Sequence, residues 1–123
     1  MWEVEERSKR QAFVNPYKLG DIFRSSWGYD QTNVDYYEVT EVNGKHVVIE
    51  AIGKLYTETG RDCGRCIPQP GTFLIGHRAF KKRCLAQDGR VTIESWRSAY
   101  YLKPEKMIGT IPVYESSYES HYA

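Results

Sequence analysis

Apolar and polar residues alternate most clearly between Tyr36 and Ile52, and that alternation predicts a β-hairpin. Its arms are Tyr36-Tyr-Glu-Val-Thr-Glu-Val42 and Lys45-His-Val-Val-Ile-Glu-Ala-Ile52, joined at Asn43-Gly44. Asn-Gly supplies the two positive-φ residues of a type I′ turn, whose twist matches the flanking strands. Period-two spacing sets Tyr37 and Val39 on one face with Val47, Ile49 and Ala51, a candidate core face. Tyr36, Glu38, Thr40, Val48 and Glu50 fall on the opposite face.

The same pattern extends in both directions. Leu19 to Ser26 reads as a first strand, and Thr72 to Ile75, Ala79 to Leu85, Arg90 to Trp96, Ala99 to Leu102 and Ile108 to Tyr114 as later ones. Gln87-Asp88-Gly89 marks a second hairpin, Pro104 stops a strand, and Pro112 indicates an edge position. Residues 53 to 71 carry Gly53, Gly60, Gly64, Pro68, Pro70 and Gly71 and read as a loop-rich middle. Residues 1 to 16 are a charged lead-in, either a short N-terminal helix over residues 3 to 13 or a frayed segment, ended by Asn15-Pro16. Short strands separated by turn signals predict a mainly β fold, a small barrel or strongly bent sheet. An SH3-like barrel is the first choice, and an OB-like barrel or a sandwich the second, because curling shields the edges of a small sheet.

Composition narrows the class. At 123 residues the chain is one domain, long enough to bury a core without disulfides or metal. Seventeen Lys and Arg against 16 Asp and Glu leave a net charge of +1. That balance excludes an acidic DNA mimic and a strongly basic coat protein. No stretch approaches the roughly 18 apolar residues of a membrane span, and Met1 to Arg10 lacks the apolar core of a secretory signal. Three cysteines, an odd number, fit a reducing compartment and a cytoplasmic setting. Ten tyrosines suit sheet faces and half-buried surfaces, and equally a binding face.

Three constellations carry candidate chemistry. Between the first strand and the hairpin lies a dense polar and aromatic cluster, in which Trp27, Tyr29, Asp30, Gln31, Thr32, Asn33 and Asp35 form a candidate recognition surface. Its structural alternative is a rigid connection held by Asx- and ST-turns. Arg78, Lys81, Lys82, Arg83 and Arg90 form a candidate nucleic-acid surface, with Phe80 or Trp96 to stack on bases. Alternation splits those charges over two faces, as on a solvated edge strand. Cys63-Gly-Arg-Cys66, with His77 and Cys84, is a candidate zinc set, although no second close pair completes a ribbon. There is no phosphate loop, nucleophile elbow or HExxH. His46, His77 and His121 sit in different elements, so nothing in the sequence asks for an enzyme. A small-ligand or nucleotide binder, or an enzyme, centred on Asp30 and Asp35 is the third reading.

The run Gly20-Asp-Ile-Phe-Arg-Ser-Ser-Trp-Gly-Tyr-Asp-Gln-Thr-Asn-Val-Asp-Tyr-Tyr-Glu-Val39 resembles the opening of small, largely uncharacterised proteins of bacteriophages and other bacterial mobile elements. There a segment like SSWGYDQTNVDFY precedes a β-hairpin. Ser95-Trp-Arg-Ser-Ala-Tyr100 is similar to a later SYASAY-like strand, and Tyr122-Ala123 to their endings. The cysteine-bearing middle is not part of the likeness. The resemblance implies a phage or mobile-element origin and a cytoplasmic host setting, and no particular activity. The expectation is a non-catalytic binding module that engages a host protein, with an anti-defence role. A nucleic-acid-binding small barrel is the alternative, and exposed tyrosines and edges are compatible with a homodimer.

Overall fold

The computed structural model describes residues 15–28 and 31–120, so the expected helix over residues 3 to 13 lies outside the described residues. The strands are β1 (Ile22–Trp27), β2 (Asn33–Asn43), β3 (His46–Gly60), β4 (Cys63–Phe73), β5 (Lys81–Leu85), β6 (Arg90–Glu94), β7 (Arg97–Leu102), β8 (Lys106–Ile108), β9 (Ile111–Val113) and β10 (Ser117–Ser120). Among the described residues the only helical element is a 3₁₀ turn at Gly76–Arg78. The fold is mainly β and antiparallel, as the alternation predicts.

The main sheet runs β10-β4-β3-β2-β1-β7-β6, with β5 paired to β3 off that path. No ladder joins β6 to β10 among the described residues, so the sheet stays open and is neither the small barrel nor the strongly bent sheet that the turn spacing predicts. The reason lies in β3. Its fifteen residues divide one edge between two partners, β5 along His46–Glu50 and β4 along Ile52–Gly60. With β5 bound to β3, the expected hairpin through Gln87-Asp88-Gly89 shrinks to one bridge, Gln87 to Arg90, and β6 pairs with β7 instead.

The hairpin of β2 and β3 forms with a different turn. Its two turn residues are Gly44 and Lys45, Asn43 pairs with His46, and Gly44 alone has positive φ, at 60°. A register shift between Val39 and Glu41 absorbs the offset. Tyr37, Val39, Val47, Ile49 and Ala51 therefore share the core face that their spacing predicts.

The loop-rich middle is instead a long hairpin, β3 turning into β4 through Arg61 and Asp62. Its prolines are tolerated because β10 covers β4 only from Cys63 to Cys66, leaving Pro68 and Pro70 on an edge. Pro112 likewise sits on the two-stranded sheet of β8 and β9. The tail, with no strand predicted, supplies β10.

Two hydrophobic clusters lie on opposite faces of the sheet. The first gathers Tyr17, Phe23, Tyr37, Val39, Val47, Ile49, Ala51, Cys84, Ala86, Val91, Ile93 and Ala99. Tyr17 meets Phe23 edge-on at 4.8 Å between ring centroids, and its hydroxyl donates to the Gln87 carbonyl. The second contains Ile22, Val34, Tyr36, Ile52 and Cys66, flanked by Leu102 and Tyr114. The face that carries Tyr36 is thus solvent-facing only toward the turn, where Glu38, Thr40, Val48 and Glu50 are half-buried.

β10 covers this second cluster. Ser120 and Thr32 exchange two hydrogen bonds, Ser120 N to Thr32 O at 3.0 Å and Thr32 N to Ser120 Oγ at 2.9 Å. Glu119 is 1% exposed and accepts from the Val34 amide at 2.8 Å and from Lys54 Nζ at 2.5 Å. Lys54 also donates to the Val34 carbonyl at 2.7 Å. Arg24 reaches Ser117 Oγ at 2.8 Å.

Candidate functional site

The richest exposed chemistry lies where β1, β2 and β7 end together. Trp27 closes β1 and pairs with Asn33, the first residue of β2. Its indole N–H donates to Asp35 Oδ2 at 2.6 Å. The same carboxylate oxygen faces Arg97 Nη1 at 3.4 Å. The Arg97 guanidinium lies between two indoles, 5.6 Å from the Trp27 ring and 5.4 Å from the Trp96 ring. Such cation–π contacts contribute about 0.5–1 kcal/mol each at exposed sites and favour this placement of the rings. Trp27 is 40% exposed and Trp96 68% exposed, while the Arg97 side chain is only 14% exposed. A half-buried cation thus contacts two exposed aromatic plates.

Gly28 makes the turn beyond Trp27. At φ 135°, a Cβ there would fall 1.9 Å from the Gln31 carbonyl oxygen. Gln31 Nε2 donates to Asn33 Oδ1 at 3.4 Å, and Thr32 is held by Ser120. Of the recognition residues expected from the sequence, Trp27 and Asp35 therefore meet directly, while Gln31, Thr32 and Asn33 shape the connection beside them. Tyr29 and Asp30 lie outside the described residues.

The sequence pattern does not single out Arg97, and it presents Trp96 only as a base-stacking candidate. The available signal was a period-two series, Arg97, Ala99 and Tyr101, which places an arginine on the same strand face as a fully buried alanine. An inward-directed charge at a strand start calls for a partner, and Asp35 supplies it.

No family model, no curated protein and no solved structure matches this chain.

The zinc candidates are not gathered. On a strand, residues three apart point to opposite faces, so Cys63 and Cys66 of β4 diverge, whereas a chelating pair needs a turn. Cys66 belongs to the second cluster and Cys84 to the first, on opposite sides of the sheet, and His77 is exposed on the 3₁₀ turn. Among the described residues no group of metal-ligating side chains assembles. The Cys66 thiol donates to the Ser117 carbonyl at 3.6 Å. Burial raises the pKa of both Cys66 and Cys84 above the ordinary thiol range, which holds them protonated and weakly nucleophilic.

The basic set is dispersed as its alternation implies. Arg78 is on the 3₁₀ turn, Lys81, Lys82 and Arg83 are on β5, and Arg90 opens β6. Lys82 donates to the Ile93 carbonyl across the gap between β5 and β6. Arg83 faces His46 Nδ1 at 3.3 Å, and Lys81 sits opposite Glu50 in the ladder. Arg90 goes elsewhere. It pairs with Tyr100, which also pairs with Arg24 of β1, so the row Arg24–Tyr100–Arg90 crosses three strands.

A cleft of about 770 Å³ opens on the other side of Arg97. Tyr37, Phe80 and Ala51 line it together with Arg97, Arg78 and His77. Burial, and then the Asp35 carboxylate, push the Tyr37 hydroxyl up to about 12, so it is a neutral wall at working pH.

Proposed function

We propose that this protein is a non-catalytic binding module that engages a host protein through the Trp27–Arg97–Trp96 face. The arrangement of one half-buried arginine between two exposed indoles carries the reading. Tryptophan and arginine dominate interface hot spots, and plates favoured in one placement before contact lose less entropy on binding. Asp35, itself 42% exposed, balances the charge of Arg97 beside the two indoles. The resemblance of Gly20–Val39 and Ser95–Tyr100 to phage and mobile-element proteins supplies the setting, a host cytoplasm, and a defence component as the partner. It is notable that both stretches meet at this face: Trp27 and Asp35 come from one, Trp96 and Arg97 from the other. No helix among the described residues is long and apolar enough to cross a membrane.

The test is affinity capture from host lysate, with and without nuclease, using wild type and a Trp27→Ala/Trp96→Ala double variant. A host protein retained after nuclease by wild type and by Arg83→Ala, and lost with the double variant, supports the reading. Equal retention by the double variant removes the site.

The row Arg24–Tyr100–Arg90 favours a second reading, a single-stranded nucleic-acid surface in which Tyr100 stacks on a base while the flanking guanidinium groups meet phosphates. It requires affinity for an oligonucleotide that falls steeply with salt and disappears with Tyr100→Ala. Capture that depends on nucleic acid would promote this row over the tryptophan face.

A further inference from the structure

We propose that the cleft between the open end of the first cluster and the 69–80 segment binds a small anion carried on a flat ring, of the size of a nucleoside monophosphate. This site shares Arg97 and Asp35 with the tryptophan face and adds Tyr37, Phe80, His77 and Arg78, none of which belongs to that face. Its volume, about 770 Å³, falls in the range of small-molecule pockets.

The lining divides into two chemically distinct parts. One part is aromatic and apolar: Tyr37 and Phe80 meet edge-to-face with centroids 5.5 Å apart, above the buried Ala51. Such a wall offers ring contact to a planar group and little to a chain of hydroxyls. The other part is cationic. Arg97 projects from one side, and Arg78 and His77 from the 3₁₀ turn on the other. The carboxylate of Asp35 is the acidic group of the lining, and it already faces both Trp27 and Arg97. Lys54 also lines the cleft, but its ammonium is committed to Glu119 and the Val34 carbonyl. Arg97 and Arg78 against Asp35 leave a positive lining.

Arg97 has donors to spare. Its Nε is buried and finds no acceptor among the described residues, and its contact with Asp35 is long at 3.4 Å. The rest of the guanidinium lines the cleft, where its positive charge is available to an anion. Phosphate fits the planar donor pair of arginine, whereas a neutral ring would leave the group unanswered. Gln69 and Thr72, on the remaining wall, add neutral hydrogen-bonding groups for a sugar or base edge.

The experiment is isothermal titration of the full chain with AMP, GMP, CMP and UMP, and with inorganic phosphate as the ring-free probe. At least one nucleotide is expected to bind with a dissociation constant below about 1 mM, weakened about tenfold or more by Arg97→Gln and by Arg78→Ala. Arg78 lies on an exposed turn outside both clusters, so its variant folds even if Arg97→Gln does not. Three results overturn the proposal: no nucleotide binding at about 5 mM ligand, binding indifferent to Arg78→Ala, or phosphate alone binding as tightly as the nucleotides. Host-protein capture is read on the same Arg78→Ala variant. Retained capture with lost nucleotide binding separates this site from the tryptophan face, and the reverse pattern in Trp27→Ala/Trp96→Ala confirms the separation.

Discussion

The two faces of the sheet solve the same burial problem by different means. The first cluster is almost wholly apolar and is assembled from residues whose period-two spacing is visible in the chain, such as Tyr37, Val39, Val47, Ile49 and Ala51. The second holds fewer side chains and includes an ion pair, Lys54 with Glu119, tied to both the amide and the carbonyl of Val34. The difference teaches where specificity resides. Apolar packing tolerates slippage, but Glu119 fits only one register of β10, because its carboxylate must meet a single amide and a single ammonium. A buried pair is weak evidence for net stability, yet it is costly to break. The apolar face accordingly supplies the bulk of the folding free energy, and the polar face fixes the ends of β1 and β2, where Trp27 and Asp35 are displayed.

Four experiments break or sharpen that contrast. The largest effect is expected from Phe23→Ala, which empties a fully buried position in the first cluster and should cost about 3–5 kcal/mol in urea unfolding. Glu119→Gln should cost about 2–3 kcal/mol, since Lys54 is partly exposed and regains some hydration. A double-mutant cycle with Lys54→Met should show coupling of at least about 1 kcal/mol, and additivity would demote the pair. Gly28→Ala should cost about 2 kcal/mol, because its Cβ would overlap the Gln31 carbonyl at a φ that alanine rarely adopts. It should also abolish partner capture, and an unchanged thermal midpoint would contradict the geometry.

The smallest effect is a pH dependence. Burial raises Tyr37 from its ordinary pKa to about 12, so the folded state keeps a proton that the unfolded chain releases. Stability from this group is full below about pH 10 and is lost as pH rises through the folded value. Between pH 9 and pH 11, Tyr37→Phe should lose about 1 kcal/mol less than wild type in chemical unfolding. Identical slopes would mean that the ring is more hydrated than its burial implies. Tyr36 is raised by burial as well, so wild type should weaken in alkali on both faces.

Legibility in the sequence followed the range of the interaction. The central hairpin and its core face were readable because alternation is a property of neighbouring residues. The shift from Asn43-Gly44 to Gly44-Lys45 was not, because it depends on a bulge at Thr40 several residues away. β4 was hidden by its own prolines, which are permitted only where β10 leaves an edge uncovered. β10 was hidden because Ser117-Tyr-Glu-Ser120 buries its serines and a glutamate, reversing the usual meaning of polar residues. At the site, Trp27 and Asp35 were legible as a dense local cluster. Arg97, sixty-two positions from Asp35, required the topology that brings β7 beside β1. The cysteine pair misled for a complementary reason: its spacing suits a turn, and the residues form a strand.

Glu119 meets Val34 across a separation of 85 residues, and Arg24 meets Ser117 across 93. Contacts so distant in the chain return nothing until a large loop has been closed, so they mature late in folding. Before that moment the Cys63–Cys66 stretch of β4 presents bare amides and carbonyls to whatever strand arrives first. A second, half-folded copy can supply one as readily as the chain's own β10. Refolding yield should therefore fall with protein concentration, and a peptide matching residues 117–120 in excess should compete for that edge.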